Sequence, residues 1–258
     1  MYLKIRSKNS SANLLKKKIE TNHPAVFRLG SFTETNEIFP HCKNPETIQE
    51  INTVEACKTS NDKCCMKAAF DDNNVKTANW DCLDNFHYFI EENEAPYIIK
   101  HRHSSKGKGI YYMSNKDDVL AFIEEHFSNA DDYIIEKYHT YSREYRVHVD
   151  KFGCFLTHRK MLKNDAQERW HRHHINTVWI KEENPMFDKP SNWDEIAEEC
   201  QKAIQAVGLD IGCVDVKVQN NKHNHPEFII LETNSAPALG DESAEKYIQE
   251  LTKLTEEF

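Results

Sequence analysis

The segment GCVDVKVQNNKHNHPEFIILETNSAPAL, from Gly212 to Leu239, constrains the fold more than any other stretch. Two apolar runs flank a very polar loop, the pattern of a β-hairpin. Alternate strand residues face opposite sides of a sheet. Val214, Val216 and Val218 therefore share one face, and Asp215 with Lys217 the other. On the second run Ile229, Leu231 and Thr233 take one side, and Glu232 with Asn234 the other. A symmetric register about the KHNH tetrapeptide sets Asp215 opposite Glu232, where like charges destabilise a strand pair. A hard cation relieves that repulsion, because Mg²⁺ takes carboxylate oxygens and completes its shell with water and phosphate oxygens. Asn234 adds a neutral oxygen. The competing reading is a solvated outer face whose acids are polar decoration, and the pattern alone leaves both open.

A chain of 258 residues with 39% hydrophobic and 29% charged residues reads as a soluble globular protein of one multi-lobed unit or a few small domains. The formal charge of −9 argues against generic nucleic-acid binding. No apolar run reaches the roughly 18 residues of a membrane span, and the N-terminus lacks an apolar signal core, so a cytoplasmic protein is expected. The eight cysteines form no CxxC pair, read as reduced thiols, and place Cys154 and Cys213 in apolar surroundings.

Residues 1–60 are the least legible, with a short basic helix at 11–20, a strand in AVFRLGSF and a helix-like NPETIQEINTVEACK. Ser60 is expected to cap a helix over NDKCCMKAAFDDN, and LDNFHYFIEEN is a further helix closing at Asn93. Beyond residue 96 the pattern is clearer. PYIIK and IYYM are strands, and NKDDVLAFIEEHFSN is a helix capped by Asn115. DYIIEKY, REYRVHVD and CFLTHRKML are strands, the last two turning at KFG. Two amphipathic helices follow, one in NWDEIAEECQKAIQAVG and one in SAEKYIQELTKLTEEF. Separate runs of helices and mostly antiparallel strands describe an α+β architecture in two or more lobes.

The complement to the acidic hairpin is the basic loop in PYIIKHRHSSKGKGIYY. Lys100 ends an apolar strand, and Ser104, Ser105, Lys106 and Gly107 follow in a loop of small residues and cations. Glycines let backbone N–H groups approach an anion. The spacing fits neither a Walker loop nor a dinucleotide fingerprint, and an exposed hairpin loop is the alternative. Between the two regions, Glu136-Lys137-Tyr138 ends a strand, and Glu144 and Arg146 share a face of the next.

In order, these pieces resemble the ATP-grasp superfamily: the strand-ending lysine with its loop, the Glu-Lys hinge, Glu144, then VDVKV and LETNSAPAL. The chain is most similar to the ribosomal-protein glutamate ligase type and more distantly to D-alanine–D-alanine ligases. The ending Glu232, Asn234, Pro237 matches the acid-x-Asn-x-x-Pro motif, and the Asp62-Lys63 pair resembles the one that opens a helix ahead of the first ATP-grasp strand. The likeness covers roughly residues 50 to 240. It implies an ATP-grasp fold of two α+β lobes clasping ATP, preceded by a short α/β N-terminal lobe. The implied divisions are 1–60 (N-terminal lobe), 61–95 (helical connector), 96–138 (small subdomain) and 139–258 (large subdomain with the metal site).

Carried over residue by residue, the resemblance implies Lys63 and Lys100 as ATP-phosphate lysines under the loop of Ser104, Ser105, Lys106 and Gly107. Glu136, Lys137 and Tyr138 would face adenine, and Glu144 would hold the ribose. Asp215, Glu232 and Asn234 would bind Mg²⁺, as one ion or two, with Mn²⁺ able to substitute. Arg146, Arg159 and Lys160 would face the phosphates or an acyl-phosphate. D-alanine ligases usually carry an arginine two residues before the first metal aspartate, where this chain has Cys213.

The implied activity is ATP-dependent carboxylate–amine ligation through an acyl-phosphate, with small-molecule or peptide carboxylate and amine substrates. A homodimer is one open oligomeric state. RKMLKNDAQERWHRHHINTVW reads as a mobile cover that keeps water out. Its Arg169, His171, Arg172, His173 and His174 suit an anion better than zinc. A kinase of the same fold, a catalytically idle ATP-binding regulator and a nucleic-acid binder using residues 101–108 are the rival readings.

Overall fold

The computed structural model describes residues 1–15, 19–105, 107–173 and 175–257. Lys106 and His174 therefore lie outside the described residues.

The N-terminal lobe is a parallel sheet of β1 (Lys4–Ser7), β2 (Ala25–Leu29) and β3 (Gln49–Ile51), in that order, with the short helix α1 (Thr35–Ile38) between β2 and β3. Every residue of β2 is buried. That includes Arg28, whose Nη1 donates to Glu50 Oε2 at 2.6 Å. The helix expected from residue 44 is broken. Residues 45–47 make one 3₁₀ turn, β3 pairs with β2, and helix begins only at Val54, where the Thr53 side chain accepts from the Ala56 N–H. Burial of Ile48 and Ile51 outweighs the local preference for helix.

Two short helices, α2 (Val54–Asn61) and α3 (Lys63–Asp72), lead out of this lobe. Asp62, not Ser60, caps α3: its Oδ1 accepts from Cys64 N at 2.9 Å and Cys65 N at 3.4 Å. Ser60 is buried and its hydroxyl meets that of Thr233 at 3.1 Å.

A four-stranded antiparallel sheet comes next, in the order β4–β7–β5–β6. It is built from β4 (Trp80–Cys82), β5 (Tyr97–His101), β6 (Ile110–Met113) and β7 (Tyr133–Lys137), with α4 (Phe86–Glu92) and α5 (Lys116–His126) packed on it. Phe86, Phe89, Val119, Phe122 and Ile123 from the helices close its core over Tyr97, Ile99 and Ile135. β4 comes from the stretch 61–95 read as a helical connector.

The third sheet has five antiparallel strands in the order β10–β9–β8–β11–β12. These are β8 (Arg143–Asp150), β9 (Gly153–Leu162), β10 (Thr177–Lys181), β11 (Ile211–Val218) and β12 (Phe228–Asn234), joined with α6 (Trp193–Ala206) and α7 (Asp241–Glu256). The β8–β9, β11 and β12 strands fall where the sequence placed them. β10 occupies the end of the segment read as a cover. Tyr145, Val147, Val149, Val214, Val216 and Ile230 turn one face onto Ile196, Cys200, Ala203 and Ile204 of α6. Their period-2 alternation leaves the opposite face of β8 and β11 polar.

α7 packs away from this core, with Tyr247, Leu251 and Leu254 against Leu3, Phe27 and Leu29 of the N-terminal lobe. Cys213 is buried as expected, whereas Cys154 is exposed. Among the described residues no helix is long and apolar enough to cross a membrane.

Candidate active site

The polar face of the large sheet, the small sheet and α3 enclose a cleft of about 1210 Å³. Small-molecule sites are typically about 300–1,000 Å³, so this cleft is larger than one small ligand needs.

Its floor is fixed by strand register. Asp215 pairs with Glu232 on β12 and with Arg146 on β8, while Lys217 pairs with Glu144. The expected opposition of Asp215 and Glu232 is therefore met. One bulge alters the rest: after Asp215↔Glu232 the next partner is Val216↔Ile230, which skips Leu231. The extra residue brings both Ile229 and Leu231 to the cleft beside Glu232 and Asn234. The sequence had assigned those two residues to the opposite face.

The charges on the floor are paired tightly. Arg146 grips Asp215 with two parallel bonds, Nε to Oδ1 at 2.8 Å and Nη2 to Oδ2 at 2.8 Å. Lys160 Nζ donates to Asp215 Oδ2 at 2.5 Å and to Glu144 Oε1 at 2.8 Å. Burial pushes the Asp215 carboxyl up, but Arg146 and Lys160 outweigh it and hold it well below the usual carboxylate range. Arg172 Nη1 lies 3.7 Å from Glu144 Oε2. Lys217 Nζ sits 4.3 Å from the Tyr138 ring centroid, and burial brings its ammonium down to about 8 against the pull of Glu144.

The roof carries cations around one buried acid. Lys100 Nζ donates to Glu136 Oε2 at 2.6 Å, and Lys67 Nζ lies 3.2 Å from Glu136 Oε1. Burial raises the Glu136 carboxyl, yet the two lysines bring it down to about 2. Lys63 Nζ donates to the Ser104 carbonyl at 2.6 Å, which ties α3 to the basic loop. Asp62 tightens the same joint, accepting from Arg102 Nε at 3.0 Å and Nη2 at 2.7 Å.

The structure brings together Lys63, Lys100, Ser104, Ser105, Gly107, Glu136, Lys137, Tyr138, Glu144, Arg146, Lys160, Asp215, Glu232 and Asn234 along the cleft. It does not bring Arg159. That side chain is on the other face of β9, where Nη1 donates to the Met186 carbonyl at 2.7 Å and lies 3.5 Å from Asp188 Oδ2. Two lysines of this charge network, Lys67 buried behind Lys100 and Lys217 on the cleft wall, were given no role by the sequence reading. Lys67 follows Lys63 by one helical turn on α3, a spacing that places both on one face. Lys217 had been placed on the face of Asp215 and left there.

The walls are suited to a flat ring at one end. Tyr138 donates its hydroxyl to the Trp170 carbonyl at 3.1 Å, and Tyr112 contacts both rings, with centroids 5.3 Å and 5.7 Å away. Ile98, Ile229 and Leu231 add apolar surface. The described part of the segment read as a cover, 163–173 and 175–176, is folded rather than extended: Asn176 Nδ2 donates to the carbonyls of Glu168 at 3.2 Å and His171 at 2.9 Å. It closes on the basic loop so tightly that a Cβ on Gly107 would lie 2.7 Å from His173 Cβ and 2.9 Å from His171 Cε1.

The donor chemistry fits a hard divalent cation. Glu232, opposite Asp215, and Asn234, opposite Cys213, both line the cleft from one strand end. Asn234 Oδ1 also accepts from the Ala236 N–H at 2.8 Å, which fixes its orientation. Asp215 has both oxygens committed to Arg146 and Lys160, so Glu232 is the more available carboxylate.

No protein-family model matches the sequence, and neither does any curated protein. Solved structures do match. D-alanine–D-alanine ligase from Bacillus anthracis superposes with a TM-score of 0.67 at 14% identity, over 99% of this chain and 97% of that one. The ATP-grasp ligase PsnB, complexed with a minimal precursor, gives 0.64 at 12% identity over 99% and 98%. A biotin carboxylase–βγ-ATP complex from Campylobacter jejuni gives 0.61 at 20% identity over 91% of this chain and 55% of that one. The chain has the ATP-grasp fold, as the order of its sequence motifs implied.

Proposed function

We propose that this ATP-grasp chain is an ATP-dependent carboxylate–amine ligase. In this reading a carboxylate takes the terminal phosphoryl group of ATP, and an amine then displaces phosphate from the acyl carbon to leave an amide, ADP and phosphate. The observation that carries the proposal is the meeting, in one cleft, of a lysine-rich roof with a floor of acids and fixed cations. Two of the proteins sharing the fold are named as ligases, which supports the reaction class. The subfamily we favour is the ribosomal-protein glutamate ligase type, acting in the cytoplasm on small-molecule or peptide substrates.

Lys63 and Lys100, with Lys67 behind them, hold the phosphates beneath the loop of Ser104, Ser105 and Gly107. Tyr138 and the apolar residues Ile98, Ile229 and Leu231 receive the base, with backbone contacts from Lys137. Glu136 orders Lys67 and Lys100 and does not itself face adenine, because both its oxygens point at ammonium groups. Glu144 meets a ribose hydroxyl through Oε2, which also faces Arg172 Nη1 at 3.7 Å, while Oε1 is held by Lys160. Arg146 and Lys160 are the cations we place beside the transferring phosphoryl group and the acyl oxygen, and they take up the place left by Cys213. Charges fixed in a dry cleft stabilise developing charge without reorganising. Mg²⁺ or Mn²⁺, when bound through Glu232 and Asn234 and joined by Asp215, would supply charge neutralisation for the phosphates. Residues 163–173 and the basic loop exclude water, which protects an acyl-phosphate.

The test is ADP release from Mg-ATP with pooled amino acids and peptides, read beside mass spectrometry for a new amide. We expect stimulated ADP release and an amide product, both lost in Asp215→Asn. A phosphorylated product that accumulates without amide would make the chain a kinase. ATP binding with no turnover would make it a regulatory module.

A further inference from the structure

Two thiols that the chain keeps 18 residues apart meet where α3 joins the small sheet: Cys64 Sγ lies 3.0 Å from Cys82 Sγ. A disulfide bond is about 2.0 Å long, so rotation of one side chain by about an ångström closes the gap. Both residues are half-exposed, within reach of a small oxidant, whereas Cys57, Cys200 and Cys213 are buried. Cys64 is the second residue of α3, directly after Lys63, and Cys82 closes β4.

We propose that Cys64 and Cys82 form a reversible disulfide, a redox-sensitive clasp between α3 and the small sheet. The chemistry is thiol–disulfide exchange with a small disulfide such as oxidised glutathione. The Cys64 thiolate attacks one sulfur of the oxidant, forming a mixed disulfide and releasing one glutathione thiolate. Cys82 then attacks the Cys64 sulfur and releases the second. The two protein thiols lose two electrons to the oxidant, and their protons pass to the two glutathione thiolates. The order follows from the site: burial and the neighbouring Cys64 push the Cys82 thiol up to about 12, which leaves Cys64 to react first.

The position gives the bond a consequence. α3 is anchored to the large lobe through Met66 and Phe70, and to the small sheet through Lys67 and Glu136. A covalent link from α3 to β4 therefore restrains the small sheet relative to the large one, across the cleft that lies between them. Slower exchange of whatever the cleft holds is the expected effect. That part rests on the nucleotide reading above, and the bond itself does not.

The experiment equilibrates the full-length protein in defined ratios of oxidised to reduced glutathione, traps free thiols by alkylation, and maps peptides without reduction. The expected result is loss of two of the eight thiols and a peptide pair linked through Cys64 and Cys82. Cys65→Ser should give the same link, and Cys82→Ser should stop at glutathione on Cys64. The linked form should melt several degrees higher, because the loop is closed in the unfolded state. All eight thiols remaining free under conditions that glutathionylate Cys64 in Cys82→Ser, or a link from Cys65 in place of Cys64, would overturn the proposal. A link that forms without changing nucleotide release would retain the bond and remove its effect on the cleft.

Discussion

Glu136→Gln removes one charge from a buried group of three, and its effect follows from the geometry. The Glu136 side chain is 4% exposed and Lys67 is 0% exposed, with separations of 3.2 Å and 2.6 Å to Lys67 and Lys100. Burial opposes ionisation, yet the lysines lower the carboxyl from 4.5 to about 2. At about 1.4 kcal/mol for each tenfold change in proton affinity, that is roughly 3 kcal/mol of native-state stabilisation at neutral pH. An independent expectation agrees: breaking a buried ion pair by removing one partner costs about 3–5 kcal/mol. The sign is that of a carboxyl depressed in the fold. Its contribution is complete above pH 4.5 and is lost as pH falls from there through about 2. Urea unfolding of wild type and Glu136→Gln at pH 7, 5, 4 and 3 measures this directly. The variant should be about 3 kcal/mol less stable at pH 7, and the difference should shrink with acid. A deficit below about 1 kcal/mol at pH 7, or one that stays constant down to pH 3, would refute the reasoning.

Lys217→Met should stabilise the protein at pH 7 by up to roughly 2–3 kcal/mol, since burial lowers this ammonium from 10.5 to about 8. That penalty is present below pH 8 and fades as pH rises to 10.5, so thermal melts at pH 7 and 10.5 check both magnitude and sign. Gly107→Ala places a Cβ 2.7 Å from His173 at a φ of +76°, and should raise the KM for ATP severalfold while costing about 1–2 kcal/mol of stability. Arg159→Ala should leave kcat/KM within about twofold, because the side chain is on the face of β9 away from the cleft. Arg146→Lys, in contrast, keeps the charge but loses the paired bonds to Asp215 and should lower kcat at least tenfold in steady-state assays.

The acidic hairpin was legible because its alternation is sharp: valines at 214, 216 and 218 leave no doubt about which face holds Asp215. The bulge at Leu231 was not legible, since one extra residue on β12 is set by pairing with β11 and leaves no local mark. Arg159 and Lys160 are neighbours of like charge on a strand whose apolar residues do not alternate cleanly. Strand parity decides which of them reaches the cleft, and the FLTHRKML pattern does not reveal parity. Lys67 was readable from its spacing to Lys63, but a lysine on a short helix ordinarily faces water. Here the helix is wedged between two lobes, and Glu136 compensates the buried charge. The N-terminal lobe stayed obscure for a different reason. Its three strands pair in parallel with partners far away in sequence, and its core is completed by α7 from the other end of the chain.

Calorimetric titration of wild type and Lys100→Ala with a non-hydrolysable ATP analogue, with and without Mg²⁺, tests the account most directly. Lys100 is the cleft lysine at the edge of the basic loop, 12% exposed and held by Glu136. The account predicts one analogue bound per chain, tighter with Mg²⁺, and an affinity at least tenfold weaker in Lys100→Ala. Absence of binding to the folded wild-type protein, or equal binding by the variant, would contradict it.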